Sequence, residues 1–283
     1  MRAARPSISL TALMGLFTIY ALIPLVYLVI SSTKSENELV TTFGFAFSGT
    51  NHLLDNIAYL FSYNDGIYLR WLWNSLWYSM VSAIGATVLA TSAGYGLAHF
   101  RFFGRETIFK LILIGVIVPQ TAIVIPIFLI MSKLGIINTP VAVILPSIVF
   151  PLGVYLMRIY AEQALPREIL EAARIDGAGE ARILAIIATP AMRSGITTVF
   201  LLSFVSAWNN YFLPVVVLTS ERNLSLTVGL ANWYGTAVGG TASGVPLMSM
   251  VIVGALIGVA PIVLSFVLLH RFWVSGATAG AIK

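Results

Sequence analysis

The chain has no cysteine, so disulfides, thiolate metal sites and thiol nucleophiles are excluded, while the redox compartment is left open. Charge is scarce too: Asp, Glu, Lys and Arg make up 10% of the residues, against about 25% in an ordinary soluble domain. The three histidines, His52, His99 and His270, are far apart in sequence, and no His-Glu-x-x-His or pair of carboxylates lies inside an apolar run. No catalytic or metal cluster can be assembled from such a set, so neither a catalytic nor a metal residue is assigned. A Gly-x-x-x-x-Gly-Lys-Ser/Thr loop is also missing, which removes the usual cradle for nucleotide phosphates. Neither a bound nucleotide, nor a cofactor, nor an enzymatic activity is therefore expected on this chain itself. A net charge of +5 might suggest nucleic acid, but the basic residues are scattered at the ends of apolar runs and form no single face, which argues against it.

What the chain does have is hydrophobicity: 58% of residues are apolar and the mean hydropathy is +0.93. Those values describe an integral membrane protein. Six stretches are long enough to cross about 30 Å of hydrocarbon at about 1.5 Å per residue: 10–31, 71–99, 107–131, 141–160, 196–218 and 247–269. The first is too long for a signal-peptide core and no small-x-small cleavage site follows it, so it reads as a retained span. In the third, Pro119 and Pro126 flank Gln120 and Thr121 and predict a kinked helix. The architecture expected is all-α and polytopic, with 1–283 as a single transmembrane domain.

Lys and Arg set the orientation. With both termini inside, twelve basic residues lie on the cytoplasmic side (Arg2, Arg5, Arg101, Arg105, Lys110, Arg158, Arg167, Arg174, Arg182, Arg193, Arg271, Lys283) and four outside (Lys34, Arg70, Lys133, Arg222). This places the loop 161–194 in the cytoplasm and the loops 33–70 and 219–246 outside.

The loop 161–194 carries nine of the 27 charged residues, so it must lie in water between two spans in lipid. Pro166 suits the first turn of a helix and Gly177 suits a left-handed end, which predicts a helix from Pro166 to about Asp176. Leu165, Ile169, Ala172 and Ala173 are expected on one side, with Arg167, Glu171 and Arg174 spaced to pair. A second helix, Glu180 to about Ala188, is expected to stop before Pro190. Outside, residues 51–61 predict a helix capped by Asn51 and lying flat at the interface. The run 231–244 is uncharged and rich in Gly and small polar residues, and reads as a pliable loop able to enter a concave partner.

Polar groups within the spans are uncharged: Asn74, Ser75, Gln120, Thr121, Ser203, Ser206, Asn209 and Asn210. Buried amides serve either as glue between helices or as the lining of a path. Beside Trp208 and Tyr211, they would suit a neutral, hydroxyl-rich solute, and Gln120, Asn209, Asn210 and Tyr211 are the candidate lining. The lack of acids and bases within the spans argues against proton coupling. Gly254-x-x-x-Gly258 permits close helix contact in the last span.

Glu171-Ala172-Ala173-x-x-Asp176-Gly177-Ala178, followed by Ile187-x-x-Pro190, resembles the EAA loop of binding-protein-dependent ABC importers, with Leu184 and Thr189 departing from the family pattern. Ala207-Trp208-Asn209-Asn210-Tyr211-Phe212-Leu213-Pro214, Gly94-Tyr95-Gly96-Leu97-Ala98 before Phe103-Gly104-Arg105, and the tail 272–283 are similar to the sugar-importer branch. The resemblance implies six membrane helices of the type I ABC importer permease fold, with the loop 161–194 as a coupling helix. Glu168, Glu171, Ala172, Ala173, Asp176, Gly177 and Ala178 would contact an ATPase, and the tail would reach the ATPase dimer. Asn232, Trp233, Tyr234, Gly235, Gly239 and Gly240 would meet the solute-binding protein. Implied partners are a homologous second permease, two ATP-binding subunits, that binding protein and the lipid bilayer of a prokaryotic inner membrane. A permease for a glycerol phosphodiester, amino acid or phosphate keeps this mechanism. A secondary transporter and a membrane-embedded enzyme stand further off. The short inner turn Phe103–Glu106 is left open as a further contact with the ATPase.

Overall fold

The computed structural model describes residues 8–240 and 244–279. Arg2, Arg5, Thr241, Ala242, Ser243 and the last tail residues to Lys283 lie outside the described residues. Helices and turns make up the described chain, with no strand among the described residues. Among the described residues, four helical segments are long and apolar enough to cross a membrane, or up to six if each of two bent pairs counts as one span. The chain divides into two compact units, residues 1–69 with 230–259, and residues 70–229 with 260–283.

The first unit contains α1 (Ile8–Ser32), α2 (Glu36–Thr41), α3 (Leu53–Ser62) and the beginning of α4 (Ile67–His99). Helix ends here are closed by side chains, as backbone groups near hydrocarbon require. Ser35 and Glu38 form a reciprocal capping box at the start of α2. The Asn56 amide donates to the carbonyls of Ser32 (3.1 Å) and Lys34 (2.9 Å) just beyond α1. Glu36 accepts from the N–H groups of Met248 (3.1 Å) and Ser249 (2.8 Å), capping the last helix where a negative charge is favoured. The Tyr68 ring packs on Gly254, and its hydroxyl donates to the Gly254 carbonyl at 2.8 Å; this is the close contact expected at that glycine. The helix expected at 51–61 is α3, with His52 at its cap position and Asn51 accepting from the Leu53 N–H instead.

The second unit holds most of α4, then α5 (Arg105–Ile117), α6 (Gln120–Lys133), α7 (Pro140–Ser147), α8 (Pro151–Ala164), α9 (Arg167–Ile175), α10 (Glu180–Ala191), α11 (Arg193–Trp208) and α12 (Phe212–Val217). The expected spans 107–131, 141–160 and 196–218 are not continuous helices. The first bends by 105° between α5 and α6, where Pro119 caps α6 with no N–H to continue α5. The second is interrupted at 148–150, ahead of Pro151 at the first turn of α8. The third is interrupted at 209–211 between α11 and α12.

A turn at 218–225 is nailed to neighbouring helices by side chains. Asn74 donates to the carbonyls of Arg222 (2.9 Å) and Leu224 (3.0 Å), Tyr78 to that of Asn223, and the Ser75 hydroxyl accepts from the Leu226 N–H. Asn74 and Ser75 are therefore glue. Asn138, in the left-handed region, accepts at its amide oxygen from the N–H groups of Thr219 and Ser220.

The expected outer loop is largely helical. Helix α13 (Leu226–Val238) includes Asn232, Trp233, Tyr234 and Gly235. Trp233 is buried against Tyr63 in an edge-on contact at 5.6 Å, within the first unit. Its burial orders a segment whose glycines alone would have left it a loop. The last helix, α14 (Leu247–Ala279), runs past the expected end of its span.

Candidate functional site

Helix α8 ends at Ala164, because Pro166 confines Leu165 to an extended conformation, and the chain then turns into α9. Leu165, Leu170 and Ala173 point inward. They join one buried cluster with Ala90, Tyr95 and Ala98 of α4, Met157 and Ala161 of α8, Ile183 and Ala188 of α10, Met192 and Val199. The inward face of α9 is thus welded to α4, α8, α10 and α11. At its far end, the Gly177 N–H donates to the Arg174 carbonyl and the Ala178 N–H to the Ala173 carbonyl, both at 3.0 Å. This pairing closes the helix only if the residue between turns left-handed, and Gly177 does so at φ 81°.

Arg174 reaches past that turn to Glu180, Nε to Oε1 at 2.6 Å, and the other Glu180 oxygen accepts from the Tyr95 hydroxyl at 3.4 Å. The Arg174 hydrogen bond holds the Glu180 carboxyl below the usual carboxylate range. His99 Nε2 lies 3.2 Å from the Ala161 carbonyl, adding a tie between α4 and α8.

The face of α9 turned to solvent carries Glu168, Ile169, Glu171, Ala172 and Ile175, followed by Asp176 and Gly177. Two expectations are corrected here. Ala173 is buried in the chain's own core, and Ile169 is on the outer face, because Leu170 and Ala173 share the inward stripe. Arg174 pairs with Glu180; no ion pair joins it to Glu171 among the described residues. Ile175, 86% exposed, was missed. Its signal was an isoleucine in the most charged stretch of the chain, next to the terminating glycine.

Helix α10 also differs from expectation. It does not stop before Pro190 but continues to Ala191, through a wide π turn at Ile183–Ala188. The Thr189 hydroxyl donates to the Leu184 carbonyl at 2.8 Å, so the wider turn keeps its acceptor satisfied close to a proline with no N–H to give. The bend comes at Met192, where α10 meets α11 at 84°.

The three breaks in the spans open onto one cleft of about 100 Å³. Gln120 begins α6, Val149 and Phe150 fill the gap before α8, Asn210 lies between α11 and α12, and Ser203 and Ser206 come from α11. No charged side chain lines it. Of the candidate path residues, Gln120 and Asn210 reach this cleft, while Asn209 and Tyr211 do not. Backbone interrupted at membrane depth is tolerated only where it is buried in protein or lines a cavity. Among the described residues, no three His, Asp or Glu side chains are placed to hold a metal.

Broken apolar helices around an uncharged cleft, with a charged surface helix anchored to their ends, are the architecture of a membrane transport subunit. The chain belongs to the family described as the inner membrane component of binding-protein-dependent transport systems, whose model matches residues 86–273. It is 34% identical to the arabinooligosaccharides transport system permease protein AraQ of Halalkalibacterium halodurans, over 93% of this chain and 91% of that one. It is 31% identical to the lactose transport system permease protein LacG of Rhizobium radiobacter, over 100% and 98% respectively. Its fold matches a chain of a bacterial ABC transporter involved in the import of the acidic polysaccharide alginate, with a TM-score of 0.78, 23% identity, and coverage of 94% of this chain and 95% of that one.

Proposed function

We propose that this chain forms one half of the membrane pore of an ATP-driven importer of sugars or oligosaccharides. Helix α9 is the point at which a separate ATPase subunit pushes. The observation that carries this reading is the two-sidedness of α9: Leu170 and Ala173 are locked into the ends of several spans, while Ile169 and Ile175 stand out among Glu168, Glu171 and Asp176. An exposed apolar knob in a charged rim is the anatomy of a protein contact. A face fused to the spans makes them follow any displacement of α9 as rigid bodies.

The neutral cleft is the proposed path, with the Gln120 and Asn210 amides and the Ser206 hydroxyl serving a hydroxyl-rich solute. The names of the similar permeases support a glycoside, and the absence of a cation in the cleft lining weighs against a phosphate ester. The remaining partners are a homologous second permease, an external solute-binding protein meeting Gly239 and Gly240 with the exposed Asn232 and Tyr234, and two ATP-binding subunits carrying ATP and Mg. The distribution of Lys and Arg supports a cytoplasmic position for both termini. The test is uptake of labelled oligosaccharides by the reconstituted complex. Ile175→Asp should abolish uptake while leaving assembly of the two permeases intact. Unchanged, ATP-dependent uptake by that variant would overturn the role of α9.

A further inference from the structure

The turn between α4 and α5, together with the start of α9, forms a second cleft of about 450 Å³, lined by Arg101, Phe102, Arg105, Glu106 and Arg167. We propose that it binds the phosphate of an anionic phospholipid, with Phe103 inserted among the acyl chains beside it. This does not depend on the transport reading; it depends only on the chain being embedded in a membrane.

Charge provides the first argument. Arg105 and Arg158 both reach the Glu106 carboxylate, at 2.9 and 3.0 Å, so the one acid lining the cleft is already shared by two guanidinium groups. Arg101 and Arg167 make no ion pair among the described residues, and both are exposed. Two uncompensated planar cations facing one concavity present the donors that a phosphodiester accepts.

Depth provides the second. Helix α4 ends at His99, α5 begins at Arg105, and α8 ends at Ala164, three residues before Arg167 opens α9. All three guanidinium groups therefore stand where apolar segments finish, and α5, which stacks Phe109 on Tyr155 of α8, leaves its other side uncovered by this chain. The cleft is at headgroup level.

Shape provides the third. Gly104 turns left-handed at φ 81°, a conformation that reverses the chain in one residue and leaves Phe103 fully exposed at the tip, with Phe102 half exposed behind it. A bare phenyl group next to unpaired guanidiniums suits the boundary between headgroups and acyl chains, where rings are favoured, and basic pockets between membrane helices suit anionic lipids. A carboxylate patch on a water-soluble partner would explain the arginines but would not use Phe103.

The experiment places the full chain in nanodiscs of phosphatidylcholine and phosphatidylglycerol in equal parts, and counts retained lipid by native mass spectrometry after release into detergent. Retention of phosphatidylglycerol over phosphatidylcholine is expected, falling about fivefold in Arg101→Gln and again in Arg167→Gln, as for loss of one cation near an anionic surface. Phe103→Ser should also shorten retention, whereas Arg101→Lys and the distant control Arg182→Gln should keep most of it and show that the fold persists. Equal retention by the Arg101→Gln/Arg167→Gln double variant would overturn the proposal. So would complete displacement by inorganic phosphate with no effect of Phe103→Ser, which would make the cleft a free-anion site. Loss of a co-purifying ATPase with lipid retention unchanged would assign the surface to that protein instead.

Discussion

Gly94 lies where α4 meets α8, and a methyl group added there would sit 2.6 Å from the Met157 Cβ and 2.7 Å from the Arg158 backbone nitrogen. Backbone cannot step aside as a flexible side chain can, so Gly94→Ala should push the helices apart and cost about 1–3 kcal/mol. A lower melting temperature of the purified chain in detergent would show it; an unchanged one would mean that the crossing is looser than the contacts imply. Gly177 differs, since no atom lies within 4 Å of where its Cβ would be. Only its left-handed backbone excludes larger residues, and Gly177→Val should loosen the end of α9 by about 1–2 kcal/mol, read as faster amide exchange at Gly177 and Ala178. The Arg174–Glu180 pair sets a pH dependence. Because the folded-state carboxyl is held below its ordinary value, its contribution is complete above that ordinary value and is lost as pH falls through the lowered one. Protection of α9 against amide exchange should therefore fall as pH drops from the ordinary carboxylate value through the lowered one, whereas in Arg174→Gln protection should already be reduced at neutral pH and this acid-dependent loss should disappear.

At the scale of elements, the apolar runs made the spans legible, and Pro166 and Gly177 marked the ends of α9 to within a residue. Three things were not legible, each for a physical reason. Grouping Ile169, and not Leu170, on one side with Leu165 and Ala173 was a choice between two stripes of equal helical spacing, settled only by what lies underneath, here Met157, Ile183 and Met192. The breaks at 148–150 and 209–211 leave hydropathy undisturbed, because an interrupted helix is as apolar as a continuous one; Pro119 and Pro126 gave notice only of the kink in 107–131, and Asn209 and Asn210 looked only polar. Segment 231–238 resembled a loop because its glycines and small residues are poor helix formers, yet the burial of Trp233 outweighed propensity. If the cleft at those breaks is the solute path, Asn210→Leu should raise the KM for uptake severalfold with the complex still assembled, and no change in KM would remove Asn210 from the path.

For the whole molecule, the absence of cysteine offers a direct assay of sidedness. Single cysteines at Ile175 and Gly240, both at exposed positions, should be labelled by an impermeant maleimide from opposite faces of sealed vesicles, Ile175→Cys from the cytoplasmic face. Labelling of both from one face would overturn the orientation read from Lys and Arg, and with it the access of any ATPase to α9.

The interrupted spans bear on what motion demands of such a molecule. A continuous helix must rupture its own ladder to swivel midway, whereas here the ladders already stop at Pro119, at Phe150 and beside Asn210. Each half can therefore tilt about its joint without breaking a helical ladder. The resistance to such a tilt is then that of side chains sliding past one another.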